Sequence, residues 1–235
     1  MATKKTQSET VVDGLRADIL SCRLAPGTRM RINDFCERFE VSLPAVREAL
    51  SKLSAQGLVI SEPQRGYRVA PVSLEDLEDL TETRIELETL CLARSIARGN
   101  IDWETRVVAA MHRLGRTAYR AADDPSRLND AWAEAHYSLH ESLVSACGSE
   151  RLLRVRSQMY EQGERYRRLS VPLYKHDRDV HSEHTAIAAA ALERETDKAT
   201  ALMADHLRMT ASILVDGLKE LLNNAAIGKD AATIS

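Results

Sequence analysis

Aromatic residues, glycine and proline are scarce in this chain of 235 residues, which has 4% aromatic side chains, 10 glycines and 6 prolines. Strands favour aromatic and β-branched residues, and the turns between them favour glycine and proline, so this balance predicts a mostly helical protein. No repeat at a fixed period is visible, as a solenoid or propeller would require. The length suffices for one large or two ordinary domains.

Cysteine pairs and long apolar runs are also missing. None of the four cysteines stands in C-x-x-C spacing, and no apolar run approaches the roughly 20 residues that a membrane span needs. No secretory leader is recognisable at the start of the sequence. We therefore expect free thiols in a reducing compartment, a cytoplasmic location and no membrane partner.

The motifs of common enzymes are absent as well. His140-Glu141 is followed by Ser142-Leu143-Val144, so the H-E-x-x-H pattern of zinc proteases does not occur. Paired Glu-x-x-His motifs of di-iron bundles, a Ser/His/Asp set and a glycine-rich phosphate loop are not found either. The sequence predicts a protein that is not an enzyme, with a helical-bundle metalloenzyme using a His-ligated zinc as the alternative class.

Charge is distributed unevenly along the chain. Residues 1–72 carry 11 basic and 8 acidic side chains, a net charge of +3, whereas the remainder carries 21 and 27, a net charge of −6. A basic N-terminal part on an acidic body suits a nucleic-acid reader joined to a separate sensing or assembly domain.

Residues 41–70 show the pattern of a helix followed by a two-stranded ribbon. Apolar side chains recur at i, i+3, i+4 and i+7, which predicts one buried helical face: Val46, Ala49, Leu50 and Leu53. Gly57 ends this helix, the apolar run 58–60 and the run 67–69 form the strands, and 62–66 form the turn. This order is typical of a winged helix.

Two further helices are expected before it. Stripes of apolar residues predict helices over about 8–22 and 32–39, and residues 28–30 can add a short strand. Residues 1–7 are expected to be disordered, so the predicted winged helix-turn-helix domain spans 8–71.

A major groove admits one α-helix, whose N-terminal residues meet base edges. We expect Arg47 to bind guanine or phosphate, Lys52 to bind phosphate, and Arg65 at the ribbon tip to enter a minor groove or contact the backbone. An ion pair of Arg47 with Glu40 or Glu48 is the alternative. The complete set of predicted DNA-binding residues is Ser42, Leu43, Pro44, Arg47, Lys52, Arg65 and Gly66.

From residue 72 the pattern predicts only helices. Periodic apolar residues and breakers place them at about 74–98, 102–121, a segment ending near 147, 149–169, 175–192 and 196–223. We therefore expect an all-α bundle of six or seven helices over 72–223, followed by a flexible tail over 224–235.

Histidines are the informative residues of this second domain. His136 and His140 stand at i, i+4 on one helix, the spacing that lets two imidazoles meet one metal ion. His184 and His206 lie on later helices, and together the four can form a site for Zn²⁺, with Ni²⁺ and Mn²⁺ as alternatives. From spacing alone, ordinary surface or core histidines remain the other interpretation. His112, His176 and His181 are expected at the surface.

The first domain resembles the GntR family of bacterial transcription factors. The matching segments are 24–30 (LAPGTRM), 41–42 (VS), 46–50 (VREAL), 57–59 (GLV) and 65–70 (RGYRVA). The resemblance implies a repressor-type DNA-binding domain that acts as a dimer on an inverted repeat of double-stranded DNA, in a bacterium and at its nucleoid. Leu43-Pro44 departs from the polar or basic residue and threonine that the family usually has after Val-Ser, so the operator sequence does not transfer.

The second domain resembles the FadR-type effector domain (FCD) of that family over about 74–222. The similar segments are 139–143 (LHESL), 146–149 (ACGS), 183–184 (EH) and 203–207 (MADHL). The resemblance implies metal ligation by His140, His184 and His206, with His136 standing where relatives have Asp or Asn.

The resemblance also implies a small carboxylate effector near the metal. Arg84 matches a first-helix arginine that lies near the pocket in relatives, and Arg156 and Tyr160 are further candidates. The alternative for Arg84 is an ion pair with a glutamate of another helix. Similarity to a glutarate-responsive branch implies a dicarboxylate such as glutarate or 2-hydroxyglutarate. The sequence thus predicts a repressor of carboxylate catabolism genes that such an effector releases from DNA.

Overall fold

The computed structural model describes residues 5–124, 127–170 and 178–231. The chain divides into two units, with the division between Ser73 and Leu74. No described helix is both long enough and apolar enough to cross a membrane.

The first unit combines three helices with a small sheet. Thr6 caps the first helix, because its side chain accepts a hydrogen bond from the Glu9 N–H while the Glu9 carboxylate accepts one from the Thr6 N–H. Its elements are α1 (Gln7–Leu20), β1 (Arg29–Met30), α2 (Ile32–Phe39), α3 (Leu43–Ala55), β2 (Val59–Glu62) and β3 (Gly66–Val69).

The sheet is antiparallel with the strand order β1-β3-β2. Val59 pairs with Val69 and Glu62 pairs with Gly66, so β2 and β3 form a hairpin whose tip is 63–65. Gly66 has a φ of 90°, which glycine adopts without strain, and this explains its place at the tip. The predicted winged helix is confirmed.

The apolar stripes of the first unit meet in one core. Its fully buried members include Leu15 and Ile19 of α1, Leu50 and Leu53 of α3, and Val69 of β3. Burying each such side chain contributes roughly 1.5–3 kcal/mol, so the core fixes the position of α3 relative to the wing.

The second unit is a bundle of six described helices. Asn100, Asn129 and Asp179 cap three of them with side-chain oxygens that accept backbone N–H bonds. The helices are α4 (Leu74–Arg98), α5 (Ile101–Gly115), α6 (Asp130–Val144), α7 (Glu150–Ser170), α8 (Val180–Leu192) and α9 (Thr196–Ala231). The prediction of an all-α bundle is confirmed.

Three helix ends differ from the sequence prediction. Helix α5 stops at Gly115 rather than 121, because residues 119–121 pair with 127–129 through a bridge between Arg120 and Leu128. Helix α8 starts after its cap at Asp179 rather than at 175, and residues 175–177 lie outside the described residues.

Helix α9 continues to Ala231, so residues 224–231, predicted as part of a flexible tail, are helical. Residues 232–235 lie outside the described residues. Residues 171–174, between the helices predicted at 149–169 and 175–192, lie outside them too, as does His176, which was predicted at the surface.

The four cysteines all lie in the described part of the chain, and none forms a disulfide. Cys91 and Cys147 are fully buried in the bundle core. Burial, together with the neighbouring Cys147, raises the pKa of Cys91 to about 12, so this thiol stays protonated near neutral pH.

Candidate metal centre and nucleic-acid interface

Four histidines from three helices converge inside the bundle. Helix α6 contributes His136 and His140, one turn apart, α8 contributes His184, and α9 contributes His206. All four are buried, and one ring nitrogen from each lies within 4.8 Å of the others. The structure therefore brings together all four residues that the sequence proposed as metal ligands.

Neighbouring side chains hold two of these rings. The Nδ1 atom of His136 lies 2.7 Å from the Tyr160 hydroxyl of α7, and the Nδ1 atom of His206 lies 2.7 Å from the Glu183 carboxylate of α8. Partners of this kind fix the orientation and the tautomer of a metal-ligating imidazole.

Burial keeps the four imidazoles neutral. It lowers the pKa of His136, His140 and His184 to well below the usual value and also lowers that of His206. Nearby arginines add to this effect at all four rings, and at His206 the Glu183 carboxylate opposes it. Neutral imidazoles present the lone pairs that a metal ion needs. Ring charge therefore does not oppose metal binding at neutral pH.

The arrangement of the ring nitrogens also suits a metal ion. The Nε2 atoms of His140 and His184 face each other at 3.4 Å. A neutral imidazole carries a lone pair on one ring nitrogen. A cation bound between the two rings would accept a lone pair from each facing Nε2 atom, as Zn²⁺ does in histidine sites.

Glu183 and Arg178 complete the shell around His206, and sequence reasoning assigned them no role. Two guanidinium N–H groups of Arg178 donate to the Glu183 carboxylate, one at 2.6 Å and one at 2.5 Å. Burial alone would raise the pKa of Glu183, but His206 and Arg178 outweigh it and lower that pKa to about 2. The one signal in the sequence is that Glu183 adjoins His184.

The three residues predicted to bind the effector also lie together. The guanidinium groups of Arg84 and Arg156 lie 5.3 and 5.1 Å from the centre of the Tyr160 ring. Both arginines face the buried carboxylate of Glu88, at 4.0 Å from Arg84 and 3.0 Å from Arg156. Arg84 thus pairs with a glutamate of its own helix α4, not with one of another helix as the alternative predicted.

Gly163 makes room for this cluster on α7. A Cβ atom at this position would lie 2.5 Å from Nη1 of Arg84, so only glycine lets the guanidinium approach the helix this closely. This contact was not predictable from the sequence, because it joins two helices far apart in the chain.

A cavity of about 320 Å³ opens beside His184, and sequence reasoning did not foresee it. Its polar wall contains Arg120, Arg178 and His181, and its apolar wall contains Trp132, whose ring stacks on His136 at 4.8 Å. Ligand pockets range from about 300 to 1,000 Å³, so the cavity is large enough for a small organic acid. Arg84, Arg156 and Tyr160 do not line it, and Arg84 lines a separate cavity of about 20 Å³. His181 and His112, predicted at the surface, are exposed.

The tip of α3 is exposed in the first unit. Ser42 precedes the helix without a side-chain capping bond, and Leu43, Pro44 and Arg47 are all exposed. Arg47 makes no ion pair in the described part of the chain. The alternative partner Glu48 pairs with Lys52 at 2.7 Å instead.

The other residues predicted to contact DNA differ in whether their side chains already have partners within the chain. Besides Glu48, the Lys52 ammonium reaches the Ser8 hydroxyl at 3.3 Å, so a phosphate would compete with two partners in the chain. Arg65 and Gly66 are exposed at the wing tip. The Arg29 guanidinium donates to the Arg65 carbonyl at 3.3 Å, which leaves the Arg65 side chain unaffected.

Comparison with known families supports both units. Residues 7–69 match the family of bacterial regulatory proteins described as the gntR family, and residues 79–209 match the FCD domain. FCD domains commonly bind a metal, and the histidine cluster lies within the matched range.

Two relatives are similar over most of their length. The HTH-type transcriptional regulator BphR of Paraburkholderia xenovorans is 42% identical over 91% of this chain and 87% of its own. The HTH-type transcriptional repressor GlaR of Escherichia coli is 34% identical over 84% of this chain and 92% of its own.

The fold is shared with solved structures at low identity. A putative GntR regulator from Rhodococcus is 22% identical with a TM-score of 0.73 and covers 90% of this chain and 99% of its own. McbR/YncC of E. coli is 16% identical with a TM-score of 0.72 and covers 91% and 99%.

These relatives are transcriptional regulators and not enzymes, so the metalloenzyme alternative has no support. Regulators of this kind bind operator DNA and small-molecule effectors, commonly as dimers. With both domains matched and two relatives above 30% identity, the chain belongs to the gntR family of bacterial transcriptional regulators and carries an FCD domain.

Proposed function

We propose that this chain is a homodimeric repressor of carboxylate catabolism genes, released from an inverted-repeat operator by a small dicarboxylate such as glutarate or 2-hydroxyglutarate. The proposal that the effector is a carboxylate rests on the positive charge buried beside the histidines. A single carboxylate, that of Glu88, faces the guanidinium groups of both Arg84 and Arg156. The relative GlaR, named a transcriptional repressor, supports the direction of control.

Arg84 is the better anion acceptor of the two arginines. Glu88 outweighs the effect of burial on Arg156 and raises its pKa, whereas burial lowers the pKa of Arg84 despite Glu88. The buried Nε atoms of Arg84 and Arg156 both lack a hydrogen-bond partner among the described residues, so the two arginines differ in how far Glu88 compensates their charge. A carboxylate would supply that partner, because a guanidinium binds it through two parallel N–H bonds. Arg156 and Tyr160 would complete the anion site.

The proposed metal is Zn²⁺, held by His140, His184 and His206 with His136 as a fourth ligand. Zn²⁺ accepts four nitrogen donors, and Ni²⁺ is the next candidate because it also prefers imidazole, whereas Mn²⁺ prefers oxygen ligands. When bound, the metal would add positive charge that attracts a carboxylate. For its part, the chain keeps the rings neutral and fixes His136 through Tyr160 and His206 through Glu183.

DNA recognition is assigned to the exposed end of α3 and to the wing. Arg47 would bind guanine or phosphate, with Ser42, Leu43 and Pro44 beside it at the helix tip, and Arg65 and Gly66 would meet the neighbouring groove or backbone. Lys52 would break its ion pair with Glu48 and contact a phosphate instead. A tenfold change in operator occupancy requires about 1.4 kcal/mol of effector affinity that differs between the two states of the dimer.

The test is a gel shift of the full-length protein with the DNA upstream of its own coding region. We expect glutarate or 2-hydroxyglutarate to abolish the shift and acetate, which has one carboxylate, to leave it. The Arg84→Gln variant should bind the DNA normally but resist release by glutarate. Arg106→Gln, which changes an exposed arginine of α5, is the matched control and should behave like the wild type.

Each part of the proposal fails on a different result. A protein that shifts no upstream fragment would refute the repressor function. Binding that every dicarboxylate leaves unchanged would refute the effector class. Normal release of the Arg84→Gln variant would refute Arg84 as the anion acceptor while leaving the other two parts standing.

A further inference from the structure

Leu43 is an exposed leucine at the very start of the recognition helix. It is the first residue of α3, and its relative solvent accessibility is 41%, whereas every other leucine of α3 is fully buried. It is not among the buried or partly buried side chains that make up the hydrophobic core of the first unit. Leu43 therefore contributes little to folding, and its apolar surface remains available to a binding partner.

The surroundings of Leu43 suit DNA as that partner. Arg47 stands four residues later, on the same face of α3, and makes no ion pair in the described part of the chain. The first turn of α3 contains no acidic residue, and the hydroxyl of Ser42 makes no capping bond. An apolar side chain is thus flanked by a cation and a hydroxyl, both of which can bind phosphate or base edges.

The major groove offers an apolar side chain one specific feature. Guanine, adenine and cytosine present hydrogen-bonding groups there, and thymine adds a C5-methyl group. A leucine placed against a polar base edge would remove water without replacing its hydrogen bonds, which is unfavourable. Against a methyl group it buries apolar surface on both sides.

We propose that Leu43 recognises the C5-methyl group of a thymine in each operator half-site. The inference rests on the proposed binding of a dimer to an inverted repeat, and it deepens that function by naming a base and the atom that is read. It also gives Leu43 a role in base discrimination, although neither Leu43 nor Pro44 has a side chain that forms hydrogen bonds.

The test replaces single thymines with deoxyuridine, which lacks only the methyl group. Full-length protein first selects its preferred duplex from a randomised library, and each thymine of that duplex is then substituted in turn. We expect one thymine per half-site at which the wild type loses about fourfold in affinity, since burying one methyl group contributes about 0.8 kcal/mol. Substitution in both half-sites should cost about 15-fold.

Two variants tie the effect to Leu43. Leu43→Ala should bind the thymine and deoxyuridine duplexes with affinities that differ less than twofold. Leu43→Arg should shift the preferred base at that position from thymine to guanine, which arginine binds through two hydrogen bonds. Ile60→Ala removes the other exposed large apolar side chain among the described residues of the first unit and should keep the full sensitivity of the wild type.

Three results would overturn the inference. In the first, the wild type binds every deoxyuridine duplex within twofold of its affinity for the thymine duplex, so no methyl group is recognised. In the second, Leu43→Ala remains as sensitive to deoxyuridine as the wild type, so a residue other than Leu43 contacts the methyl group. Failure to select any duplex would refute the DNA-binding function itself, and this result is distinguishable from the other two. Circular dichroism of each variant verifies that this surface change leaves the fold intact.

Discussion

The arginines proposed to bind DNA in the first unit and the effector in the second lie in opposite environments. In the first unit, Arg47 and Arg65 are exposed. In the second, Arg84 and Arg156 are withdrawn from solvent and share Glu88. An exposed cation costs little when it is unpaired, whereas a buried one is unfavourable unless a carboxylate or ligand compensates it. The first unit can therefore keep cations ready for an extended polyanion, while the second needs a small anion that it can enclose.

The same contrast applies to what holds each site in place. The proposed DNA-reading residues lie on one helix and one hairpin, so each acts from its own element. The histidine cluster depends on three helices, with α7 adding Tyr160. We therefore expect substitutions in the cluster to have the larger effects and to affect one another, because residues in contact are not additive.

Removal of a proposed metal ligand should have the largest effect. His140→Ala and His206→Ala each delete one buried donor, and we expect each to lower zinc affinity more than 100-fold, which leaves the purified protein with little metal. Metal content measured by mass spectrometry provides the test. His112→Ala, an exposed histidine of α5, is the control and should retain the metal of the wild type. Unchanged metal content in both cluster variants would remove the proposed site.

Arg47→Ala tests the first unit with the next largest effect. Loss of a specific arginine–guanine contact costs roughly 1–3 kcal/mol, which corresponds to a loss of about 5- to 150-fold in operator affinity. Dimerisation should not change, because the side chain is exposed on the recognition helix. Fluorescence anisotropy measures the affinity, and sedimentation measures the dimer. Normal affinity for a specific fragment would show that α3 is not the recognition helix.

Tyr160→Phe tests whether α7 supports the metal site from outside. The change removes the hydroxyl that lies 2.7 Å from Nδ1 of His136 and keeps the ring that packs near both arginines. Loss of such a partner typically weakens metal affinity 10- to 100-fold, and we expect the lower end because one ligand of four is affected. Competition with a chromogenic chelator measures the affinity.

The matched control for that experiment is Tyr137→Phe. The Tyr137 hydroxyl donates to Glu141 at 3.2 Å on the same helix and does not reach the histidines. The Tyr137→Phe variant should therefore bind zinc with the affinity of the wild type. Equal affinity of Tyr160→Phe and the wild type would show that His136 is not a ligand or does not need its partner.

Local patterns were enough to predict the winged helix and the spacing of His136 and His140. The apolar stripe of α3, its end near Gly57 and the hairpin turn are all encoded in neighbouring residues. The sequence did not reveal the contacts of His136 with Tyr160 or of His206 with Glu183, because helix packing creates them. Helix α5 ended early for a similar reason, since the bridge between Arg120 and Leu128 competed with helical periodicity.

The smallest predicted effect concerns the stability of the first unit. Asp18 is 6% exposed in its side chain and accepts hydrogen bonds from Arg23 at 2.8 Å and Arg38 at 2.5 Å. Burial would raise its pKa, but the two arginines outweigh burial and hold that pKa below the usual value. Because both arginines are about half exposed, solvent screening reduces the contribution, and we expect Asp18→Asn to destabilise the unit by about 1 kcal/mol at pH 7.

The pH dependence of that difference separates an electrostatic cause from a packing cause. A carboxylate with a lowered folded pKa stabilises the fold fully above its unfolded pKa of about 3.9 and loses this contribution as the pH falls through the folded value. The wild type and Asp18→Asn should therefore converge in stability below about pH 4. Both tryptophans, Trp103 and Trp132, lie in the second unit, so amide NMR signals of α1 during a urea titration provide the measurement. A difference that persists unchanged at low pH would mean that the asparagine packs poorly and that the two ion pairs contribute nothing measurable.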